Sequence, residues 1–136
     1  MKKLSKLRDL KVGVLKGTGV HPNSDGATVA QVAWWNEFGT DDIPSRPFLR
    51  TTMRENRRKF SKVTKTIYER ALKGVGNVEN MVDALGMLAQ SLVVQAIDNT
   101  LTPPNAPATL EAKAPKTHPL INTGRLRQSI SYAEDK

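Results

Sequence analysis

Two histidines and no cysteine leave the chain few of the groups that usually carry acid–base, nucleophilic or metal chemistry. His21 lies inside a Gly/Pro-rich stretch and His118 abuts Pro119, and neither has a carboxylate or hydroxyl partner at a diagnostic spacing. No HExxH, GxSxG or Walker pattern occurs. The acidic residues are scattered, and the adjacent Asp41 and Asp42 fall in a turn, where Asp usually bonds its own backbone. Missing cysteine removes disulfides, thiolate metal sites and cysteine nucleophiles together. The reading is a protein without catalysis, with no catalytic, metal-ligating or cofactor-binding residue to assign.

The chemistry that the residues do supply is positive charge. The net charge is +8, from 21 basic and 13 acidic residues, which favours an anionic partner such as nucleic acid, an acidic protein or a membrane surface. Much of it sits in one segment: Arg46, Arg50, Arg54, Arg57, Arg58, Lys59, Lys62, Lys65, Arg70 and Lys73, opposed by Glu55 and Glu69. This is a credible phosphate surface. The aromatics in it are Phe60 and Tyr68, and Phe60 belongs to an apolar stripe, so base stacking has little support. No helix-turn-helix, zinc-finger or RNA-binding signature accompanies it. A solvated face, or one docked on acidic neighbours, remains the other reading.

The elements that must position these residues follow from periodicity. Residues 1–9 (MKKLSKLRD) read as a flexible basic arm. Leu10, Val12 and Val14 alternate with Lys11 and Gly13, the pattern of a half-buried strand. Gly17–Gly26 is a loop. Ala27–Phe38 reads as a short helix with Val29, Val32, Ala33 and Asn36 on one face and Gly39 ending it, a strand being the alternative. One long helix is predicted from Arg46 to Lys73, with Ser45 as N-cap, Pro47 in the first turn and an apolar stripe of Leu49, Met53, Phe60, Val63, Ile67 and Ala71. A second runs from Asn77 to Asn99, with Asn77 as its cap. Thr102–Pro119 holds five prolines and reads as an extended surface segment, with a helical turn available at Ala108–Lys113. Thr123 and Gly124 can start a helical turn, and Ser129–Ala133 a last strand.

The chain of 136 residues is one domain's worth. The predicted fold class is α+β: a small antiparallel sheet packed against two long helices, with long Pro/Gly-rich extended segments. Lys6, Arg8, Asp9 and Lys11 interrupt what could have been a signal peptide, and no segment reaches the ~18 apolar residues of a membrane span. A soluble, unexported protein is expected. Trp34 and Trp35 are adjacent, so in a helix one can be core while the other, beside Phe38, anchors an interface.

Three stretches carry a family resemblance: VAWWNEFGTDDIPSRPFLR from Val32, PPNAPATLEAK from Pro103 and PLINTGRLRQSI from Pro119. Their order and spacing resemble small virion proteins of tailed bacteriophages, called tail-completion, neck or tail-component proteins. In that family a helix bearing Asn-Glu-Phe-Gly-Thr runs into Ile-Pro-x-Arg-Pro-Phe-Leu, and later come Thr-(Ile/Leu)-x-x-Lys and Pro-Leu-Ile-Asp-Thr-Gly. The matching residues here are Asn36 to Thr40; Ile43, Pro44, Arg46, Pro47, Phe48 and Leu49; Thr109, Leu110 and Lys113; and Pro119, Leu120, Ile121, Thr123, Gly124, Leu126, Ser129 and Ile130. Asn122 stands where the family usually has Asp.

The resemblance implies a structural protein without catalysis. It implies a homo-oligomeric ring, most often a hexamer, at the head–tail junction of the virion, made in the host cytoplasm. Its partners would be the head connector or adaptor, the tail tube or tail terminator, and passing double-stranded DNA, with no membrane. A ring around sliding DNA suits positive charge without base reading. The family segments are expected to shape the subunit and its interfaces, with Glu37 paired to Arg46 across the Gly39–Pro44 turn. Arg50, Arg54, Arg57, Arg58 and Lys62 are candidates for contact with the DNA channel or an acidic neighbour. The alternative is a basic DNA-binding or regulatory module.

Overall fold

The computed structural model describes residues 9–15, 19, 25–99 and 124–134. Those residues form an α+β fold in the order β1 (Leu10–Val14), α1 (Val29–Phe38), α2 (Phe48–Glu55), α3 (Arg57–Lys73), α4 (Val78–Asn99), α5 (Arg125–Ser129) and β2 (Ile130–Glu134). The basic arm apart from Asp9, most of the Gly17–Gly26 loop, and the Thr102–Pro119 segment with its helical turn lie outside the described residues.

The two strands come from opposite ends of the chain. They pair antiparallel, Leu10 opposite Glu134 and Val14 opposite Ile130. The alternation expected of β1 is present only in its first half: Lys11 is exposed between half-buried Leu10 and Val12, but Gly13 is buried between half-buried Val12 and Val14. The sheet lies on α4. Gly86 of that helix brings its backbone against the Tyr132 ring, where any Cβ would collide with Cδ2, Cε2 and Cγ. On either side of this contact, the Tyr132 hydroxyl donates to Asp83 Oδ1 at 2.5 Å and Gln90 Nε2 donates to the Ile130 carbonyl at 2.7 Å.

The core is a cluster of Val29, Phe48, Val93, Ile97, Leu126 and Ile130, drawn from α1, α2, α4, α5 and β2. α4 is its axis: Val82, Gly86, Ala89, Val93 and Ile97 recur at helical spacing and are all buried. By length and composition α4 is a helix that could cross a membrane, a length the sequence reading found in no segment. Its inward face is used up by the sheet and the other helices, and its exposed positions include Glu79, Asn80, Asp83, Ser91, Gln95 and Asn99. At its start Asn77 Oδ1 accepts from the Asn80 N–H at 3.3 Å, the cap expected of it.

The single helix expected over Arg46–Lys73 is two. It breaks at Asn56, whose backbone sits at φ −98° and ψ 9°. The Asn56 side-chain amide donates back to the Thr52 carbonyl at 3.0 Å, and the Thr52 hydroxyl donates to the Phe48 carbonyl at 2.6 Å. Side chains that bond the backbone one turn earlier compete with the helical ladder and bend it. The start also differs, at Phe48 rather than Arg46. Ser45 does not cap it, because its hydroxyl donates instead to the Glu37 carbonyl at 2.9 Å. α1 opens on a capping box that the sequence pattern Thr-x-x-Gln contained: Gln31 N–H donates to Thr28 Oγ1 at 3.2 Å, and Thr28 N–H to Gln31 Oε1 at 2.8 Å.

Candidate assembly surface and basic face

The segment from Asn36 to Arg50 folds into an elbow joining α1 to α2. Gly39 ends α1 as expected, with φ 79° and its N–H donating to the Trp35 carbonyl at 2.8 Å. A Cβ there would stand 3.0 Å from the Ile43 oxygen and the Ser45 nitrogen, so the turn needs glycine for space and for conformation alike. Thr40 closes the loop: its N–H donates to the Ile43 carbonyl, and its hydroxyl accepts from the N–H groups of Asp42 and Ile43. The returning segment is clamped by Arg46 N–H donating to the Asn36 carbonyl at 2.6 Å.

At the elbow's centre is the carboxylate of Glu37, buried at 4 % exposure. It accepts from the Leu49 N–H at 2.9 Å, the Arg50 N–H at 2.8 Å and Arg50 Nε at 2.9 Å. A helix N-terminus presents unpaired N–H groups and a partial positive charge, which an anion satisfies. Glu37 therefore caps α2 from another helix. A guanidinium on this carboxylate is that of Arg50, which sits in the first turn of α2 and whose own N–H is also bonded by Glu37. Arg46 is buried in the same elbow, and burial pulls its guanidinium below its ordinary pKa.

Arg50 also donates from Nη2 to the Glu37 carbonyl at 2.8 Å, and its guanidinium carbon lies 4.5 Å from the Phe38 ring centroid. Phe38 in turn meets Trp34, one helical turn earlier, with centroids 4.1 Å apart and planes tilted by 40°. Trp34 is 61 % exposed and Phe38 45 %. Together the three form a surface stack of indole, phenyl and guanidinium. Beneath it opens an apolar groove of about 400 Å³, lined by Val14, Ala33, Phe38, Leu49 and Ile130 among others.

Of the residues singled out from sequence, the structure thus brings together Trp34, Glu37, Phe38, Gly39, Ile43, Pro44, Arg46, Pro47, Phe48 and Arg50. Trp35 is half-buried on a different side of α1, beside Gly26, Ala27 and Gln31. Gly124 precedes α5 with φ 77°. Leu120 and Thr123 lie outside the described residues, as do both histidines. The i, i+4 spacing of Trp34 and Phe38 was the available signal for the stack. Nothing in local sequence marked Val14, Ala33 and Ile130 as neighbours beneath it.

The basic residues separate into two groups. Arg50 is drawn into the elbow, whereas Arg54, Arg57, Arg58, Lys59, Lys62, Lys65, Arg70 and Lys73 are exposed on α2 and α3. α3 turns Ile67 and Ala71 inward, with Phe60, Val63 and Thr64 half-buried on the same side. Among the described residues, no group of three or more His, Asp or Glu side chains stands in position to hold a metal ion. Set beside protein-family models, curated proteins and solved structures, the chain matches none of them.

Proposed function

We propose that this chain is a structural virion protein of a tailed phage, a subunit of a homo-oligomeric ring at the head–tail junction around the DNA passage. The observation that carries the reading is the elbow. The residues of the first of the three motifs, Asn36 to Leu49, form one interlocked turn, and that turn sets Trp34 and Phe38 at the surface over an apolar groove. An exposed aromatic pair beside an apolar groove is the make-up of a subunit interface. A ring requires two different surfaces that match head to tail. In this reading Trp34 and Phe38 anchor one of them, Glu37 and Arg46 hold the elbow's shape, and catalysis plays no part. The partners are further copies of the chain, six in the family's usual ring, together with the head connector or adaptor and the tail tube or terminator. The chain is made in the host cytoplasm and ends in the particle.

The experiment is to image assembled particles carrying a labelled copy of this subunit. Label at the neck supports the proposal, and particles complete without the subunit would overturn it. The exposed rows of Arg and Lys also favour a second reading, a basic DNA-binding or regulatory module. Such a module would bind duplex as an isolated monomer, whereas a ring subunit associates as its concentration rises.

A further inference from the structure

We infer that the outer face of the α2–α3 arm, carrying Arg54, Arg57, Arg58, Lys59, Lys62 and Lys65, is a surface for the phosphate backbone of duplex DNA, read without regard to sequence. The inference deepens the proposed function by naming the surface that meets DNA, and rests on that reading only for its setting.

All six cations are exposed, and within Arg54–Lys65 the one acidic residue is Glu55. Arg58, Lys62 and Lys65 follow one another at i, i+4 and i+7 and so lie on one side of α3. At ~1.5 Å rise per residue that row is about 10 Å long, the span of about three phosphates along one DNA strand. Lys59 flanks it, and the break at Asn56 sets Arg54 at the end of a separate helix, so the charges do not all lie on one straight line. Lys65 has a partner in Glu69, at 3.9 Å, an exposed pair too weak to hold it back.

The composition of the face selects among anionic partners. A helix that lies on a membrane must offer a continuous apolar side to lipid, but the apolar stripe of α3 is turned inward, with Ile67 and Ala71 buried and Phe60 and Val63 half-buried, and its exposed Tyr68 and Leu72 lie beyond the basic row. Protein interfaces deplete lysine and concentrate aromatics at their centre. Here three of the six cations are lysines, and the residues between them on the exposed side are Ser61 and polar neighbours. With no exposed aromatic among Arg54–Lys65 to stack on a base, the contact is to phosphates.

The test is fluorescence anisotropy of two labelled duplexes of unrelated sequence, about two helical turns long, titrated with the full chain at about 50–200 mM salt. Both duplexes should bind alike, with affinity falling on the order of 100-fold across that range, as about four phosphate contacts require. Replacing Arg58→Gln, Lys59→Gln, Lys62→Gln and Lys65→Gln together should weaken binding at least about tenfold at low salt and flatten the salt dependence. The charge-preserving set Lys59→Arg, Lys62→Arg and Lys65→Arg should bind within about threefold of the parent, since the contacts are electrostatic. Unchanged circular dichroism and melting temperature show that both variants fold. Three results would overturn the inference: undiminished binding by the glutamine variant, a clear preference for one duplex, or tighter binding to poly-glutamate or to phosphatidylserine–phosphatidylcholine vesicles than to DNA. Any of them leaves the neck proposal to the particle-labelling experiment, which does not depend on DNA affinity.

Discussion

Replacing Gly86 with alanine separates helix propensity from tertiary packing. In the interior of an isolated helix, glycine to alanine stabilises by about 1 kcal/mol, because alanine loses less backbone entropy. Gly86 is interior to α4 and buried, yet the new Cβ would come within 2.7 Å of Tyr132 Cγ and nearer still to Cδ2 and Cε2. The ring cannot simply swing away, since its hydroxyl is held by Asp83 at 2.5 Å and its strand is paired with β1. Overpacking of this kind costs typically about 1–3 kcal/mol. With the ring anchored at both ends the upper part of that range applies, and Gly86→Ala should destabilise by about 1–2 kcal/mol net. For a chain of this size that is a fall in melting temperature of about 4–8 °C. Thermal unfolding followed by far-UV circular dichroism reads it directly. The diagnostic comparison is the same substitution in a Tyr132→Ala background, where the clash is gone and Gly86→Ala should become neutral or stabilising. If Gly86→Ala alone raised the melting temperature, the close packing of β2 on α4 would be refuted.

Glu37→Gln should destabilise by about 2–3 kcal/mol in urea unfolding, because a buried group that accepts three hydrogen bonds loses its charge at a helix N-terminus. Arg50→Gln should cost less, since that guanidinium is half exposed, and an equal loss would place the stability in the ion pair rather than in the cap. A double-mutant cycle should find Glu37 coupled to Arg50. The bond to Asp83 raises the Tyr132 pKa in the folded state, so its contribution is complete below the unfolded tyrosine value of about 10 and is lost as pH rises through the higher folded value. The difference in melting temperature between the parent and Tyr132→Phe should therefore shrink in strongly alkaline buffer, and a difference that grew would contradict the bond. Trp34→Ser with Phe38→Ser should abolish concentration-dependent association in sedimentation experiments while lowering the melting temperature only modestly, given that Trp34 is mostly exposed and Phe38 nearly half so.

The elements were legible because each is written in a short window. β1 shows period two, α4 shows a continuous apolar stripe, and Gly39 and Asn77 end or begin helices by local chemistry. The break at Asn56 was harder to see, since an Asn can also sit inside an unbroken helix, as Asn36 does in α1 while its amide makes the same bond to the carbonyl four residues earlier. The site was legible in its membership and not in its pairing. Trp34, Glu37, Phe38 and the Ile43–Phe48 segment stood out as residues, but the meeting of Arg50 with Glu37 depends on the direction in which α2 leaves the elbow.

Sequence alone determined the charge, the helical stripes, the short β1 strand and the absence of cysteine chemistry, because composition and local periodicity do not depend on what lies across the molecule. Tertiary structure decided the rest. It paired the first strand with the last, set Tyr132 against the one helical position lacking a side chain, and made Glu37 the cap of a helix that starts eleven residues later. Each of these joins groups distant in the chain, and their meeting is fixed by how helices and strands pack, which no window of neighbouring residues encodes.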